Sequence, residues 1–223
     1  MVLKLYGSPF STCTKRVAVV LHEKQVPFEL IPVDYAKGEH KTPEFLDKQP
    51  FGQMPYIDDD GFILYESRAI CHYIASKYAN QGTPLIPTDL KGNALFQQAC
   101  SVEMCQFNDF AEKAVVEKVF KPMKGLKTDE ARFNEYIDTL SKKLDGYERI
   151  LSKQKYLAGN ELTLADLYHL PYAEMLPKAG SNIMQEKPNV ARWLKDISSR
   201  PSWQAVKEKI ESVHDFKKPS GQN

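Results

Sequence analysis

The chain has 223 residues, 42% hydrophobic and 26% charged, with a formal net charge of +1 at pH 7. That balance gives no electrostatic case for a nucleic-acid or acidic-membrane partner, and no apolar stretch approaches the ~20 residues of a membrane-spanning helix. Cys13, Cys71, Cys100 and Cys105 show neither C-x-x-C pairing nor zinc-ligand spacing, so reduced thiols in a cytoplasmic protein, with no metal, are the expectation.

The first elements alternate in kind. Val2–Tyr6 predicts a strand with no long apolar leader ahead of it, and Gly7-Ser8-Pro9 breaks it. Ser11 or Thr12 can cap a helix running to about Lys24, with Val17, Val20 and Leu21 on its inner face. Phe28–Val33 predicts a second strand. A polar loop, Gly38-Glu39-His40-Lys41, leads to a short helix opened by Thr42-Pro43. Tyr56–Asp58 and Phe62–Leu64 flank Asp59-Asp60-Gly61, a hairpin signal, and a helix follows from Ser67 to about Tyr78. The order β-α-β-α-β-β-α predicts an α/β, thioredoxin-like N-terminal domain over residues 1–80, with helices on both faces of a small mixed sheet.

Gly82, Pro84 and Pro87 mark residues 79–91 as a linker, and 92–223 predict an all-helical C-terminal domain. Phe96, Ala99, Cys100, Phe107, Phe110, Ala111 and Ala114 recur at helical steps along one long amphipathic helix. Glu130–Leu151 predicts another, with Phe133, Ile137, Leu140, Leu144 and Leu151 on one side. Leu164–Leu176 predicts a central helix, capped by Thr163 and Asp166 as a stability element. Pro188–Ser198 and Ser202–Val213 complete the bundle, and Phe216–Asn223 predicts a polar, mobile tail.

Two pieces carry most of the chemistry. Phe51-Gly52-Gln53-Met54-Pro55 sets a proline directly before a strand, where a sharp turn often uses a cis bond. Glu66-Ser67-Arg68-Ala69-Ile70 sets a carboxylate and a hydroxyl at a helix start, where unpaired N–H groups attract an anion. Backbone groups for a peptide beside a helix end for its carboxylate fit a small acidic peptide better than a metal, nucleotide or nucleic acid.

Those two segments, with Ser11-Thr12-Cys13-Thr14-Lys15-Arg16-Val17 and Gly38-Glu39-His40-Lys41, resemble in order and spacing the cytosolic glutathione transferases, most closely the phi class. The likeness covers essentially residues 1–215. It departs at Met54, where valine is commoner, and at Cys13, where a small residue is.

The resemblance implies a glutathione transferase fold and an enzyme that adds the glutathione thiolate to hydrophobic electrophiles. Reduction of organic hydroperoxides is an implied second activity, and glutathione is a co-substrate with no permanently bound cofactor. Ser11 stands at the family's catalytic hydroxyl position, beside Thr12. Glu66 and Ser67 would hold the γ-glutamyl end, and the Met54 backbone would pair with the cysteinyl residue before a cis Pro55. His40, Lys41 and Gln53 would meet the glycine carboxylate. Phe10, Tyr35, Phe107, Phe110 and Phe120 are candidates to line the electrophile site in a cleft between the domains. A homodimer is implied, with Arg68 facing the partner and Glu103 one possible acceptor. Three alternatives stand beside this: a Cys13-dependent thiol transferase, Tyr6 as the activating hydroxyl, and a non-catalytic carrier of hydrophobic ligands.

Overall fold

The computed structural model describes residues 2–216. The chain forms two compact units, one made of the residues up to Pro84 plus those from Gln204 onward, the other of Leu85–Trp203.

In the first unit β1 (Leu3–Gly7), α1 (Thr12–Glu23), β2 (Phe28–Pro32), α2 (Pro43–Leu46), β3 (Tyr56–Asp59), β4 (Phe62–Tyr65) and α3 (Ser67–Lys77) follow the order the sequence predicts. The sheet runs β2-β1-β3-β4, with β1 parallel to β2 and the other two pairings antiparallel. Asp60 (φ 56) and Gly61 (φ 86) close the β3–β4 hairpin, both in the left-handed region that a two-residue turn of this hand requires. One core holds Leu3 and Leu5 of β1, Val17, Val20 and Leu21 of α1, Ile57 of β3, and Ile70 and Ile74 of α3. A second cluster of Val33, Phe45 and Tyr56 packs with Tyr6, Met54, Ile63 and Tyr65.

Register decides what this unit can do. Gly7 pairs with Pro32, Tyr6 with Tyr56, and Tyr56 with Tyr65. The carboxyl ends of β1, β2 and β4 therefore share one end of the sheet with the amino end of β3. All four segments singled out from the sequence leave or enter the sheet there.

The second unit is helical: α4 (Leu90–Val102), α5 (Asp109–Val115), α6 (Lys121–Met123), α7 (Glu130–Leu151), α8 (Leu164–Leu167), α9 (Leu170–Ala173), α10 (Pro188–Ser198) and α11 (Pro201–Gln204), the last of these reaching the boundary between units. Three elements differ from expectation. The long helix from Leu90 to Met123 contains two π-helical stretches, Glu103–Asn108 and Val116–Phe120. Among its buried residues, Ala99, Glu103, Phe107 and Ala111 are spaced by four. In a pure α-helix each such step drifts about 40° around the axis, and the wider π turn keeps the stripe on one face. The segment expected as one helix from Leu164 to Leu176 is broken, because Pro171 has no N–H to donate back one turn. The helix expected over Ser202–Val213 stops at Gln204, and the described residues beyond it group with the first unit instead of extending the bundle. The expected mobile tail lies, from residue 217, outside the described residues.

Candidate functional site

At the shared sheet end, Ser11 is the N-cap of α1 (φ −66, ψ 131), and its Oγ accepts from the Thr14 N–H at 3.3 Å. A hydroxyl has one proton, and capping uses only a lone pair, so that proton remains to be donated. The approach to α1 is tight: a Cβ on Gly7 would lie 2.5 Å from Thr14 Oγ1. Thr12, in the first helical turn, is buried.

One turn further along α1 lies a residue that sequence reasoning missed. Arg16, 1% exposed, donates from Nη1 to Ser67 Oγ at 3.0 Å and lies 3.5 Å from Cys13 Sγ. It ties the amino ends of α1 and α3 together and sets positive charge beneath both. The Cys71 thiol donates to the Arg16 carbonyl at 3.3 Å. Burial pushes that thiol up to about 12, against the pull of Arg16 and Arg68. Cys13 is half-buried.

Glu66 precedes α3 at φ 69, ψ 110, a left-handed backbone for a residue with a side chain, and its exposed carboxylate makes no capping bond. A non-glycine residue held there costs about 1–3 kcal/mol and concentrates at functional sites. No sequence signal marks it. Ser67 is buried, and its hydroxyl is held by Arg16.

The Met54–Pro55 bond is cis, as the sequence predicts. The preceding loop is shaped by Gln49, also missed: it is 1% exposed, and its Oε1 accepts from the N–H groups of Phe51 (2.8 Å) and Gln53 (3.1 Å). Gly52 sits at φ +57, where a Cβ would meet Lys41 Nζ at 2.6 Å and the His40 carbonyl at 2.8 Å. Lys41 donates to the Phe51 carbonyl at 3.2 Å, joining the 38–41 turn to this loop. His40 is buried and its ring stacks on Tyr35 with centroids 4.2 Å apart, so it walls the site more than it reaches into it. Gln53 is exposed.

The first unit thus gathers Ser11, Thr12, His40, Lys41, Gln53, Met54, Pro55, Glu66 and Ser67 at one end of its sheet. Tyr6, the alternative hydroxyl, stacks on Tyr56 at 4.4 Å within the second cluster. The candidate apolar residues divide. Phe10 (66% exposed) and Tyr35 (53%) offer ring surface, and Phe110 and Phe120 are half-buried in the helical unit. Phe107 is fully buried, 4.7 Å from the His169 ring and 6.4 Å from Tyr147. The π turn faces it inward, so Phe107 is bundle core and does not line a substrate surface. Glu103 is buried on the same stripe, which removes it as an acceptor for a partner's Arg68.

Models of two families match the chain: the glutathione S-transferase N-terminal domain over residues 1–76 and the C-terminal domain over 107–201. Glutathione S-transferase PM239X14 of Arabidopsis thaliana is 50% identical over 197 residues, 86% of this chain and 90% of the relative. Among solved structures, glutathione transferase F7 from Populus trichocarpa superposes with a TM-score of 0.89 at 46% identity, covering 93% of this chain and 98% of that one. Glutathione S-transferase I from Mais, solved with an atrazine glutathione conjugate, matches at 34% identity and a TM-score of 0.83 over 92% of this chain and 96% of that one.

Proposed function

The chain belongs to the glutathione transferase family, most like its phi class, and on that premise we propose that Ser11 donates its hydroxyl proton to the sulfur of bound glutathione and holds it as thiolate. The protein conjugates glutathione, taken as a co-substrate, to electrophilic substrates. The observation that carries the assignment of Ser11 is its cap geometry: the hydroxyl accepts from Thr14 N–H, which leaves one proton to donate beside the positive end of α1. A thiol near 8.5 is only about 2% ionised at pH 6.9, and lowering it by two units makes the thiolate the major form, for roughly 2.7 kcal/mol. Ser11 stabilises charge and does not itself attack.

The remaining roles follow from the same placement. Ser67, fixed by Arg16, and the first N–H groups of α3 take the γ-glutamyl carboxylate, and Glu66 faces its ammonium. The Met54 backbone pairs with the cysteinyl residue ahead of Pro55. Gln53 and Lys41 meet the glycine carboxylate, with His40, buried and stacked on Tyr35, next to Lys41 in the chain and buried Thr12 next to Ser11. Phe10, Tyr35, Phe110 and Phe120 contribute apolar surface for the electrophile. Reduction of organic hydroperoxides by the same thiolate, a homodimer using Arg68, and a cytoplasmic location complete the proposal. Sedimentation of the parent and Arg68→Glu tests the dimer.

The test is conjugation of glutathione to a chromogenic aryl halide by the parent, Ser11→Ala and Cys13→Ser, with glutathione affinity measured alongside. Ser11→Ala should bind glutathione and lose most turnover, while Cys13→Ser keeps it. A parent-like Ser11→Ala would overturn the assignment and bring forward the carrier. Loss of disulfide reduction in Cys13→Ser would support a thiol transferase.

A further inference from the structure

The segment after α11 does something that neither the fold nor the proposed chemistry requires. It returns across the first unit and is anchored by Val206 and Ile210, 0% and 1% exposed. At its far end it covers the free edge of β2: Phe28 and Val213 exchange N–H···O bonds of 2.8 and 2.9 Å, and the Leu30 N–H donates to Ser212 Oγ at 2.9 Å. At its near end it touches both sides of Ser11. The Ile210 N–H donates to the Pro9 carbonyl at 3.1 Å. Lys15 Nζ donates to the Lys207 carbonyl at 2.6 Å and the Glu208 carbonyl at 3.3 Å.

The near-end contacts break a local rule. A lysine in the first turn of a helix opposes the macrodipole and is unfavourable there. Lys15 occupies that turn, its own N–H bonded to the Ser11 carbonyl at 2.9 Å. Its ammonium is led to the strap's backbone carbonyls at Lys207 and Glu208, which compensate it. Such violations, matched by a specific partner, are where sequences give up local consistency for function. The residues before Ser11 form a short irregular loop, held within itself by the Ser11 N–H to the Ser8 carbonyl at 3.1 Å and the Phe10 N–H to Ser8 Oγ at 3.3 Å. Loops hold a side chain less accurately than helices or strands, and displacement of a catalytic group by about 1 Å can reduce turnover a hundredfold.

We propose that residues 206–210 form a strap that positions the Ser11 hydroxyl, with Ile210 holding the chain before it and Lys15 the helix after it. This rests on the assignment of Ser11 above. Ile210 and Lys15 are positioning residues and act on glutathione only through Ser11. The segment beyond the strap, at Ser212 and Val213, seals the edge of β2 and has no part in the positioning.

The test compares Lys15→Met, Ile210→Pro and Val213→Pro in the full-length chain, with Ser11→Ala as reference. The readouts are glutathione affinity, kcat, the pH profile of kcat/KM and Tm. Ile210→Pro removes the N–H given to Pro9, and Val213→Pro removes the one given to Phe28. Lys15→Met and Ile210→Pro should each lower kcat about tenfold, move the limb of the pH profile to higher pH, and leave glutathione affinity within about twofold. Val213→Pro should lower Tm while keeping the parent's kcat and pH profile. If the two near-end variants behave like Val213→Pro, the strap is only structural and the inference falls. It falls too if Lys15→Met shifts the profile and a folded Ile210→Pro does not, since Lys15 would then act by charge alone. Should Ile210→Pro fail to fold, salt decides. The gap between Lys15→Met and the parent persists from about 0.1 to 1 M salt if position is at work, and closes if charge is. A parent-like Ser11→Ala overturns the thiol-activation assignment itself. A defective Ser11→Ala beside parent-like strap variants overturns only the strap.

Discussion

Asp166 gives the sharpest test of how the helical unit is held. It is fully buried, and its carboxylate accepts four hydrogen bonds. Oδ1 takes the Leu157 N–H at 3.0 Å and the Trp193 indole N–H at 2.9 Å. Oδ2 takes the Thr163 N–H at 3.0 Å and its hydroxyl at 3.1 Å. Asp166→Ala strands these donors away from water. At about 1–3 kcal/mol for each unsatisfied buried group, partly relieved by relaxation, the loss should be about 4 kcal/mol. Asp166→Asn can keep Oδ1 on Leu157 and Trp193 but turns its amide toward the Thr163 N–H, donor against donor, for about 2 kcal/mol. Thr163→Ala removes only the hydroxyl and should cost about 1 kcal/mol. Urea unfolding measures all three, followed by the emission of Trp193 and Trp203, the only two tryptophans. At about 2–4 °C per kcal/mol the ranking should also appear in Tm. The reasoning fails if Asp166→Asn is as damaging as Asp166→Ala, or if both stay within about 1 kcal/mol of the parent. Glutathione conjugation per folded molecule should not change in any of the three.

Other expectations come from single positions. Gly52→Ala places a side chain at φ +57, against Lys41 Nζ and the His40 carbonyl, so KM for glutathione should rise about tenfold or more. A parent-like KM would remove the 49–53 loop from the binding site. The Glu117 carboxyl is held below its ordinary value by Lys121, 2.7 Å from both oxygens, and by the Asp129 N–H at 3.0 Å, with burial opposing. A lowered carboxyl contributes stability above its unfolded pKa and loses it as pH falls through the folded one. Glu117→Gln should therefore be about 1 kcal/mol less stable than the parent at pH 7, with the gap closing below about pH 4; urea midpoints across pH that keep a constant gap would refute this. Cys71, buried and pushed up to about 12, should resist iodoacetamide in the folded chain at mildly alkaline pH while exposed Cys105 is labelled. Mass spectrometry with and without urea reads the difference, and early labelling of Cys71 would show that its environment opens.

Features governed by neighbours in sequence were legible before the structure. Asp60-Gly61 encodes its turn, Met54-Pro55 its peptide geometry, and Ser11 its cap, because each depends on a few adjacent backbone angles. Features that depend on remote partners were not. Arg16 abuts the run Val17–Leu21 and gives no sign that its guanidinium is buried against Ser67, 51 residues away. Gln49 reads as an ordinary loop polar residue until its carbonyl is seen holding Phe51 and Gln53. Phe107 could not be assigned from its stripe, since core and ligand-facing rings share the same spacing, and only the π turn decides which way it faces. The strap was misread for a related reason: Val206, Ile210 and Val213, spaced by four and three, match a helix face, yet the free edge of β2 offers Val213 backbone partners that outweigh local preference.

Charge explains why the site is assembled from helix ends more than from charged side chains. Glutathione carries two carboxylates and one ammonium, so binding it as thiolate brings a net charge of about −2 to one end of a four-stranded sheet. A cation touching the sulfur would stabilise the thiolate but would also weaken it as a nucleophile. Under the proposed assignment the positive potential is instead spread over two helix amino ends, with Arg16 buried beneath both and Lys15 directed away onto the strap's carbonyls. The sulfur then meets one neutral donor, Ser11, within a field whose sources are fixed by packing. Glu66, the acid this assignment gives to the ligand, is exposed and faces its one cationic group. Such a field requires α1 and α3 to stay in register, and Arg16, bonded to Ser67 from a position one turn beyond Thr12, fixes that register.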